Sequence, residues 1–276
     1  MTNRQLLIKG TEMLRMADIA DAGYDAGELF GYVMGISRTE FFLRSEENAD
    51  EEATNRYLEL ISRRASHIPL QYITGTQCFM GYDYKVDGRV LIPRQDTEVL
   101  VEQVAALMKK GDRILDVCTG SGCILLSLLR MVPETTGVGV DISREALSVA
   151  EDNGRDVSQA QFVYSDLFDN VEGLFDVIVS NPPYIETAVI EGLDAEVKDY
   201  EPRLALDGGT EGLDFYRRIV RDAGTYLKDN GILAFEIGYN QGHSVSDILE
   251  ANGYQDIQVI KDYAGLDRVV IARYVA

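Results

Sequence analysis

Residues 114–122 read ILDVCTGSG, an apolar run that passes directly into a turn with two glycines. Such a run predicts a buried strand over residues 113–118, and a helix is expected over residues 123–131. Glycine lets the backbone turn tightly and approach a ligand closely. The stretch therefore predicts a strand, a ligand-binding turn and a helix at the carboxyl edge of a parallel sheet.

The alternation of strands and helices continues on both sides of this stretch. Further strands are predicted at residues 137–140, 162–164, 175–180 and 232–236, and helices at residues 144–153, 213–227 and 244–250. Two last strands, 257–261 and 268–274, are separated by a turn and can pair antiparallel. The pattern predicts an α/β fold with a doubly wound, mostly parallel seven-stranded sheet and helices on both faces.

The first 70 residues follow a helical period and predict a small N-terminal helical bundle. We expect a break at residues 23–25 and helices near residues 28–34, 38–43 and 51–65, with Thr39 and Asp50 as caps. Residues 71–92 are rich in aromatics and glycines and predict one or two hairpins. The expected domains are a helical domain (1–70), a hairpin linker (71–92) and an α/β domain (93–276).

Composition and charge exclude several classes of function. No apolar run approaches the roughly 18 residues of a membrane span, so we expect a soluble cytoplasmic protein without a membrane partner. Cys118 and Cys123 suggest packing more than a metal pair, and we predict no metal site. The chain has 26 Lys and Arg against 46 Asp and Glu, a net charge of −20. This charge disfavours a nucleic-acid partner; it suits a basic protein partner or simply maintains solubility.

Acidic residues at the predicted edge indicate the type of cofactor. The second strand ends at Asp141, about 20 residues beyond the glycines, where a carboxylate can accept hydrogen bonds from a ribose. A dinucleotide-binding turn usually has a third glycine at the position of Leu125. Asp116 would repel a pyrophosphate, whereas it can help to orient an ammonium group. The pattern favours S-adenosylmethionine over NAD.

The third strand ends at two further candidates. Asp166 can accept from an adenine amine and Leu167 can pack on the ring. The alternative, that Ser165 or Asp166 simply caps the next helix, stays open.

Residues 181–184 read NPPY and follow the fourth strand directly. Two prolines make a rigid corner. The side-chain oxygen of Asn181 and the carbonyl of Pro182 can then hold both hydrogens of an NH₂ group, and Tyr184 offers a flat face to the planar group that carries it. These acceptors would aim the nitrogen lone pair at a methyl group and stabilise the developing positive charge. A simple turn after a strand is the alternative.

The NPPY corner after the GSG turn resembles class I methyltransferases that act on planar NH₂ groups. Residues 69–73 (PLQYI), 79–81 (FMG), 91–98 (LIPRQDTE) and 201–209 (EPRLALDGG) are similar to release factor glutamine methyltransferases, and the similarity covers nearly the whole chain. The resemblance implies transfer of a methyl group from S-adenosylmethionine to N5 of the glutamine in the Gly-Gly-Gln motif of class I peptide-chain release factors, docked by the helical domain.

The resemblance also implies roles for individual residues. The glutamine would be held by Asn181, Pro182, Pro183 and Tyr184, with Asn181, Pro182 and Tyr184 acting in catalysis. The cofactor site would comprise Cys118, Thr119, Gly120, Ser121, Gly122, Asp141, Asp166, Leu167 and Asn181. The chain departs from the family pattern at Cys118, where a glycine is usual, at Gln95, where a proline is usual, and at Leu167, often an aromatic.

Two questions stay open at this point. Arg94 and Glu98 either order the linker over the cofactor site or form an ordinary salt bridge at a helix start. We favour the salt bridge.

The alternative functions are methylation of a glutamine in a ribosomal protein, N6-adenine methylation of a nucleic acid, and a binding module that has lost catalysis. The last is disfavoured by the intact NPPY corner.

Overall fold

The computed structural model describes residues 1–275, which form two compact units. The first comprises Met1–Thr76 together with Asp194–Tyr200, and the second comprises Gln77–Leu193 and the described residues from Glu201 onward. No helix in this described part of the chain has both the length and the apolar character needed to cross a membrane.

The first unit is the helical bundle that the sequence predicts. Its helices are α1 (Asn3–Met16), α2 (Ala22–Met34), α3 (Arg38–Arg44), α4 (Glu51–Ala65), α5 (Leu70–Thr74) and the short α9 (Ala195–Lys198). They bury an apolar core that includes Leu6, Leu14, Leu29, Phe30, Tyr57 and Leu60. A buried arginine holds the later segment in this unit, because Arg64 pairs with Asp25 at 2.6 Å and with Glu196 at 2.7 Å.

Two local expectations for the bundle are wrong and one is confirmed. The expected break at residues 23–25 is absent, because α2 runs from Ala22 and buries a continuous stripe that includes Ala26 and Leu29. Ser37, not Thr39, caps α3: its hydroxyl accepts from the Glu40 amide at 3.2 Å while the Glu40 carboxylate accepts from the Ser37 amide at 2.7 Å. Asp50 caps α4 as expected.

The second unit is an α/β fold. It contains a hairpin of β1 (Thr76–Phe79) and β2 (Tyr82–Lys85), and the helices α6 (Gln95–Leu107), α7 (Cys123–Met131), α8 (Arg144–Asn153), α10 (Asp214–Ala223) and α11 (Gly242–Ala251). The remaining strands are β3 (Arg113–Val117), β4 (Thr136–Asp141), β5 (Ala160–Tyr164), β6 (Phe175–Ser180), β7 (Leu227–Glu236), β8 (Gln255–Lys261) and β9 (Asp267–Arg273). Short 3₁₀ turns lie at Ile190–Gly192 and Arg203–Ala205.

The sheet has seven strands, as the sequence predicts, and their order is β5-β4-β3-β6-β7-β9-β8. The first five are parallel, and β9 pairs antiparallel with β7 and β8. Val117 stands opposite Val140 on one side and Ser180 on the other, so the loops after β3, β4 and β6 meet at one edge. The expected helix over residues 213–227 is too long, since α10 ends at Ala223 and Leu227 already pairs with Phe175.

Candidate active site

A cavity of about 310 Å³ opens at the carboxyl edge of the parallel strands. The loops after β3, β4, β5 and β6 all contribute to its walls, as expected for a doubly wound sheet. From the predicted site, Cys118, Thr119, Gly120, Ser121, Asp141, Asp166, Leu167, Asn181 and Pro183 line it. Gly122, Pro182 and Tyr184 are not among its lining residues.

The backbone of the glycine turn adopts positive φ angles, which residues with a side chain disfavour. Cys118, Gly120 and Gly122 have φ angles of 61°, 54° and 79°. The positive φ of Cys118 explains why glycine is usual at this position, since a β-carbon there is strained. Cys118 and Cys123 are free thiols that pack against the two apolar cores, and burial raises the pKa of both.

Gly122 starts α7 behind the cavity wall, where a β-carbon would lie 3.1 Å from the Phe162 ring. We predict that Gly122→Ala lowers the free energy of unfolding by about 2 kcal/mol, because strain and overpacking add. Gly120→Ala is the matched control, since its φ is also positive but nothing lies within 4 Å; it should cost about 1 kcal/mol. Equal losses in urea titrations of the two variants would contradict the packing argument.

Asp141 is oriented by two backbone amides. Its Oδ2 accepts from Gly120 at 2.9 Å and its Oδ1 accepts from Ser143 at 2.9 Å. Burial raises the pKa of this carboxyl, while the backbone donors act in the opposite direction. The carboxylate is thus presented at the end of β4 in a fixed position, with a second lone pair on each oxygen for a ligand.

Asp116 lies behind the turn rather than in the cavity. Its side chain is fully buried, Oδ2 accepts from the Thr119 hydroxyl at 2.6 Å, and Oδ1 has no hydrogen-bond partner among the described residues. Burial raises the pKa of Asp116 to about 7. The expected contact of Asp116 with an ammonium group in the cavity is therefore wrong, because the side chain is buried behind the turn and bonds to the Thr119 hydroxyl, which lines the cavity.

After β5, Ser165 and Asp166 take different roles, one as a cap and one facing the cavity. The Ser165 hydroxyl accepts from the Asn170 amide at 3.0 Å and so caps the following turn. Asp166 instead faces the cavity, with Oδ1 paired to Arg218 at 2.8 Å. Leu167 stands beside it with a φ of 50°.

Two residues of the NPPY corner are hydrogen-bonded to side chains elsewhere in the α/β unit. Asn181 lines the cavity, and its Nδ2 donates to the Thr97 hydroxyl at 3.4 Å. Tyr184 packs against the apolar core, and its hydroxyl donates to Glu236 Oε1 at 3.2 Å. Neither Thr97 nor Glu236 was singled out from the sequence, although an acid at the end of a predicted strand is the same signal that indicated Asp141.

The expected salt bridge between Arg94 and Glu98 is absent. Arg94 instead pairs at 2.7 Å with both carboxylate oxygens of Glu201, which is 107 residues away along the chain. Glu98 accepts from the Met80 amide at 2.6 Å and so fastens the hairpin. Arg94 lines the cavity beside Pro202, so this pair orders the loop around residues 201–205 at the cavity wall.

Known proteins match both parts of the chain. The PrmC N-terminal domain family matches residues 5–75, and the methyltransferase small domain family matches residues 94–195. The release factor glutamine methyltransferase of Moorella thermoacetica is 43% identical, with 99% of this chain and 98% of the relative covered. The chain belongs to the release factor glutamine methyltransferase family. A second member, from Agrobacterium fabrum, is 40% identical over 97% of this chain and 96% of its own length.

A solved structure shows the same fold. A methyltransferase from Pyrococcus furiosus matches with a TM-score of 0.58 and 19% identity, covering 78% of this chain and 100% of the other. At that identity the match shows the fold alone. The family's catalytic unit is thus a class I methyltransferase fold.

Proposed function

We propose that this enzyme transfers a methyl group from S-adenosylmethionine to N5 of the glutamine in the Gly-Gly-Gln motif of class I peptide-chain release factors. The observation that carries the proposal is the position of Asn181, which borders the same cavity as Asp141 and the glycine turn, in a chain of this family. The proposed setting is the cytoplasm, with no nucleic-acid or membrane partner.

The lining residues suit the cofactor. S-adenosylmethionine supplies, when bound, an electrophilic methyl carbon on a positively charged sulfur. Asp141, held by two backbone amides, has lone pairs left for ribose hydroxyls. Leu167 offers an apolar surface to an adenine ring, and Asp166 offers a carboxylate to its amine. The open space at Gly120, where a β-carbon would meet nothing within 4 Å, lets a ligand approach the backbone.

The NPPY corner is proposed to orient the glutamine. An amide nitrogen is a poor nucleophile, because its lone pair is delocalised into the carbonyl. Asn181 Oδ1 and the Pro182 carbonyl would accept the two hydrogens of the NH₂ group, turning the lone pair towards the methyl and stabilising the developing positive charge. Pro183 lines the cavity and would complete the contact. Tyr184 packs against the core next to it, and its ring is proposed to meet the planar amide from the side of the corner. No strong base is needed, since the methylated nitrogen releases its proton readily.

The helical unit is proposed to dock the release factor. Within it, several large apolar side chains are exposed, among them Tyr24 (63% exposed), Phe42 (67% exposed) and Leu43 (82% exposed). Aromatic residues such as Tyr and Phe are enriched in the cores of protein–protein interfaces. The net charge of −20 favours a basic protein over nucleic acid.

Methyl transfer from labelled S-adenosylmethionine tests the function directly. We expect label on a wild-type release factor and at least a hundredfold less on a factor whose Gly-Gly-Gln glutamine is alanine. A short peptide with the same motif should be a poorer substrate, because it lacks the docking contacts. Label on DNA or on ribosomal proteins instead of the factor would contradict the proposal.

A further inference from the structure

Gln241 is a buried glutamine that the proposed reaction does not use. It lies between β7 and α11 and is 7% exposed. Its Nε2 donates to the main-chain carbonyls of Tyr184 at 3.0 Å and Gly212 at 3.1 Å, and its Oε1 accepts from the Gly238 amide at 2.9 Å. Because two carbonyls face the nitrogen and one amide faces the oxygen, the side chain has a single satisfied orientation.

These hydrogen bonds join three separate stretches of main chain. Tyr184 is the last residue of the NPPY corner, Gly212 lies shortly before α10, and Gly238 follows β7. A buried polar network whose members are all satisfied fixes the arrangement of the groups that it joins. Gln241 is therefore placed to fasten the corner to the loop after β7.

The NPPY corner is stiff along its length, so its direction depends on how its two ends are held. At its start, Ser180 is paired in the sheet with both β3 and β7. Pro182 and Pro183 lock their own φ angles, and each restricts the residue before it. A movement of the Tyr184 main chain is therefore transmitted to the Pro182 carbonyl, because few rotations between them can absorb it.

The main chain at Tyr184 is held closely from two sides. A β-carbon at Gly212 would clash with the Tyr184 carbonyl oxygen and lie 2.8 Å from Gln241 Nε2. The peptide group that carries this carbonyl also bonds through its N–H, since the Ile185 amide donates to the Leu206 carbonyl at 3.0 Å. Gln241 thus restrains the carbonyl side of a peptide group whose amide side is bonded to a different segment.

We propose that Gln241 is a positioning residue that fixes the direction of the NPPY corner, and with it the two acceptors that face the substrate NH₂ group. The inference rests on the proposed function, since it assigns Asn181 Oδ1 and the Pro182 carbonyl as those acceptors. Methyl transfer is sensitive to small displacements of the nitrogen, because the lone pair must be aligned with the methyl carbon. Loss of the anchor at Tyr184 therefore lowers the rate of the chemical step more than the binding of either substrate.

Gln241→Met tests this inference, because it keeps the length of the side chain and removes both donors. We expect kcat for release factor to fall about tenfold to a hundredfold. The KM for the factor should stay within about threefold and the Kd for S-adenosylmethionine within about twofold, since neither binding surface is changed. Rates are measured at saturating S-adenosylmethionine and normalised to the enzyme that binds it, so a loss of folded protein does not count as a loss of kcat.

Gly212→Ala breaks the same hydrogen bond and leaves Gln241 intact. It should reproduce the fall in kcat, because the added methyl meets both the Tyr184 oxygen and Gln241 Nε2. Gly209→Ala is the matched control, since Gly209 also has a positive φ, 88° against 68° at Gly212. Its β-carbon would meet the carboxylate of Asp214, an exposed side chain that can move away. The control should keep kcat within about twofold of the wild type.

Tyr216→Phe is the control for a purely structural effect. The Tyr216 hydroxyl lies 3.4 Å from Gln241 Oε1 and donates to the Glu236 main-chain carbonyl at 2.8 Å. Its removal loosens the same buried region without breaking the bond from Gln241 to Tyr184. It should lower the free energy of unfolding and leave kcat within about twofold. The positioning role is overturned if folded Gln241→Met or Gly212→Ala keeps kcat within about twofold, or if Tyr216→Phe loses as much as they do.

Amide hydrogen exchange separates this inference from the proposed function, because it needs no turnover. The Ile185 amide belongs to the same peptide group as the Tyr184 carbonyl and should exchange about tenfold faster in Gln241→Met than in the wild type. Tyr216→Phe should leave this exchange unchanged. Equal exchange in Gln241→Met and the wild type would overturn the positioning role even if the enzyme is active. A wild-type enzyme that leaves release factor unlabelled would overturn the proposed function instead.

Discussion

Asn181→Ala should lower the rate of methyl transfer to release factor by about 10²–10³-fold. The variant removes one of the two acceptors proposed for the glutamine NH₂ group, so the nitrogen lone pair is no longer directed at the methyl and the developing charge loses a partner. The cost should appear in kcat rather than in KM, because the interaction strengthens as the charge develops. Single-turnover rates with enzyme in excess over factor measure the effect.

An exposed asparagine gives the matched control for Asn181→Ala. Asn240 is exposed and does not line the cavity, so Asn240→Ala makes the same chemical change away from the site. It should retain the wild-type rate within about twofold. Far-ultraviolet circular dichroism and cofactor titration should show that Asn181→Ala is folded and binds S-adenosylmethionine within a few-fold of the wild type. A rate within fivefold of the wild type would remove Asn181 from the reacting centre.

The sequence predicts those parts of the fold that depend on local signals. The apolar run that forms β6, Phe175–Ser180, has the predicted bounds, and so does α7, Cys123–Met131, because glycine marks its start. The predicted end of α10 was wrong: the helix stops at Ala223 with Gly224 as its C-cap, a turn follows, and Leu227 already pairs with Phe175. Tertiary pairing overrides local pattern at such boundaries.

Part of the candidate site also follows from local signals in the sequence, and part of it depends on tertiary contacts. The glycine turn, Asp141 and Asn181 each follow a strand, so their meeting at one edge follows from the order of parallel strands. Arg94 and Glu201 are paired although they lie 107 residues apart with no periodic signal between them. The hydrogen bond from Asn181 to Thr97 likewise joins residues that are 84 positions apart. Whether an acid such as Asp116 faces the cavity or lies behind it depends on side-chain direction, which spacing alone leaves open.

The buried carboxyl of Asp116 should make the unliganded protein less stable as the pH rises. Its folded pKa is about 7, against roughly 3.9 for an aspartate in an unfolded chain. Between these values the folded state holds a proton that the unfolded state has released, so the free energy of unfolding falls with rising pH. The fall from this one group can reach roughly 4 kcal/mol between about pH 4 and pH 7. Urea titrations across that range measure it.

Asp116→Asn should remove this dependence, because its side chain carries no charge at any of these pH values. The variant should gain stability relative to the wild type at pH 8 and not at pH 4, since only the ionised carboxylate is costly in the buried site behind Thr119. Asp169→Asn is the matched control: Asp169 is exposed, so the same loss of charge should leave the wild-type pH dependence in place. Parallel stability profiles for Asp116→Asn and the wild type would mean that Asp116 is ionised throughout. The charge would then need a cationic partner in the folded protein, and Thr119 alone does not provide one.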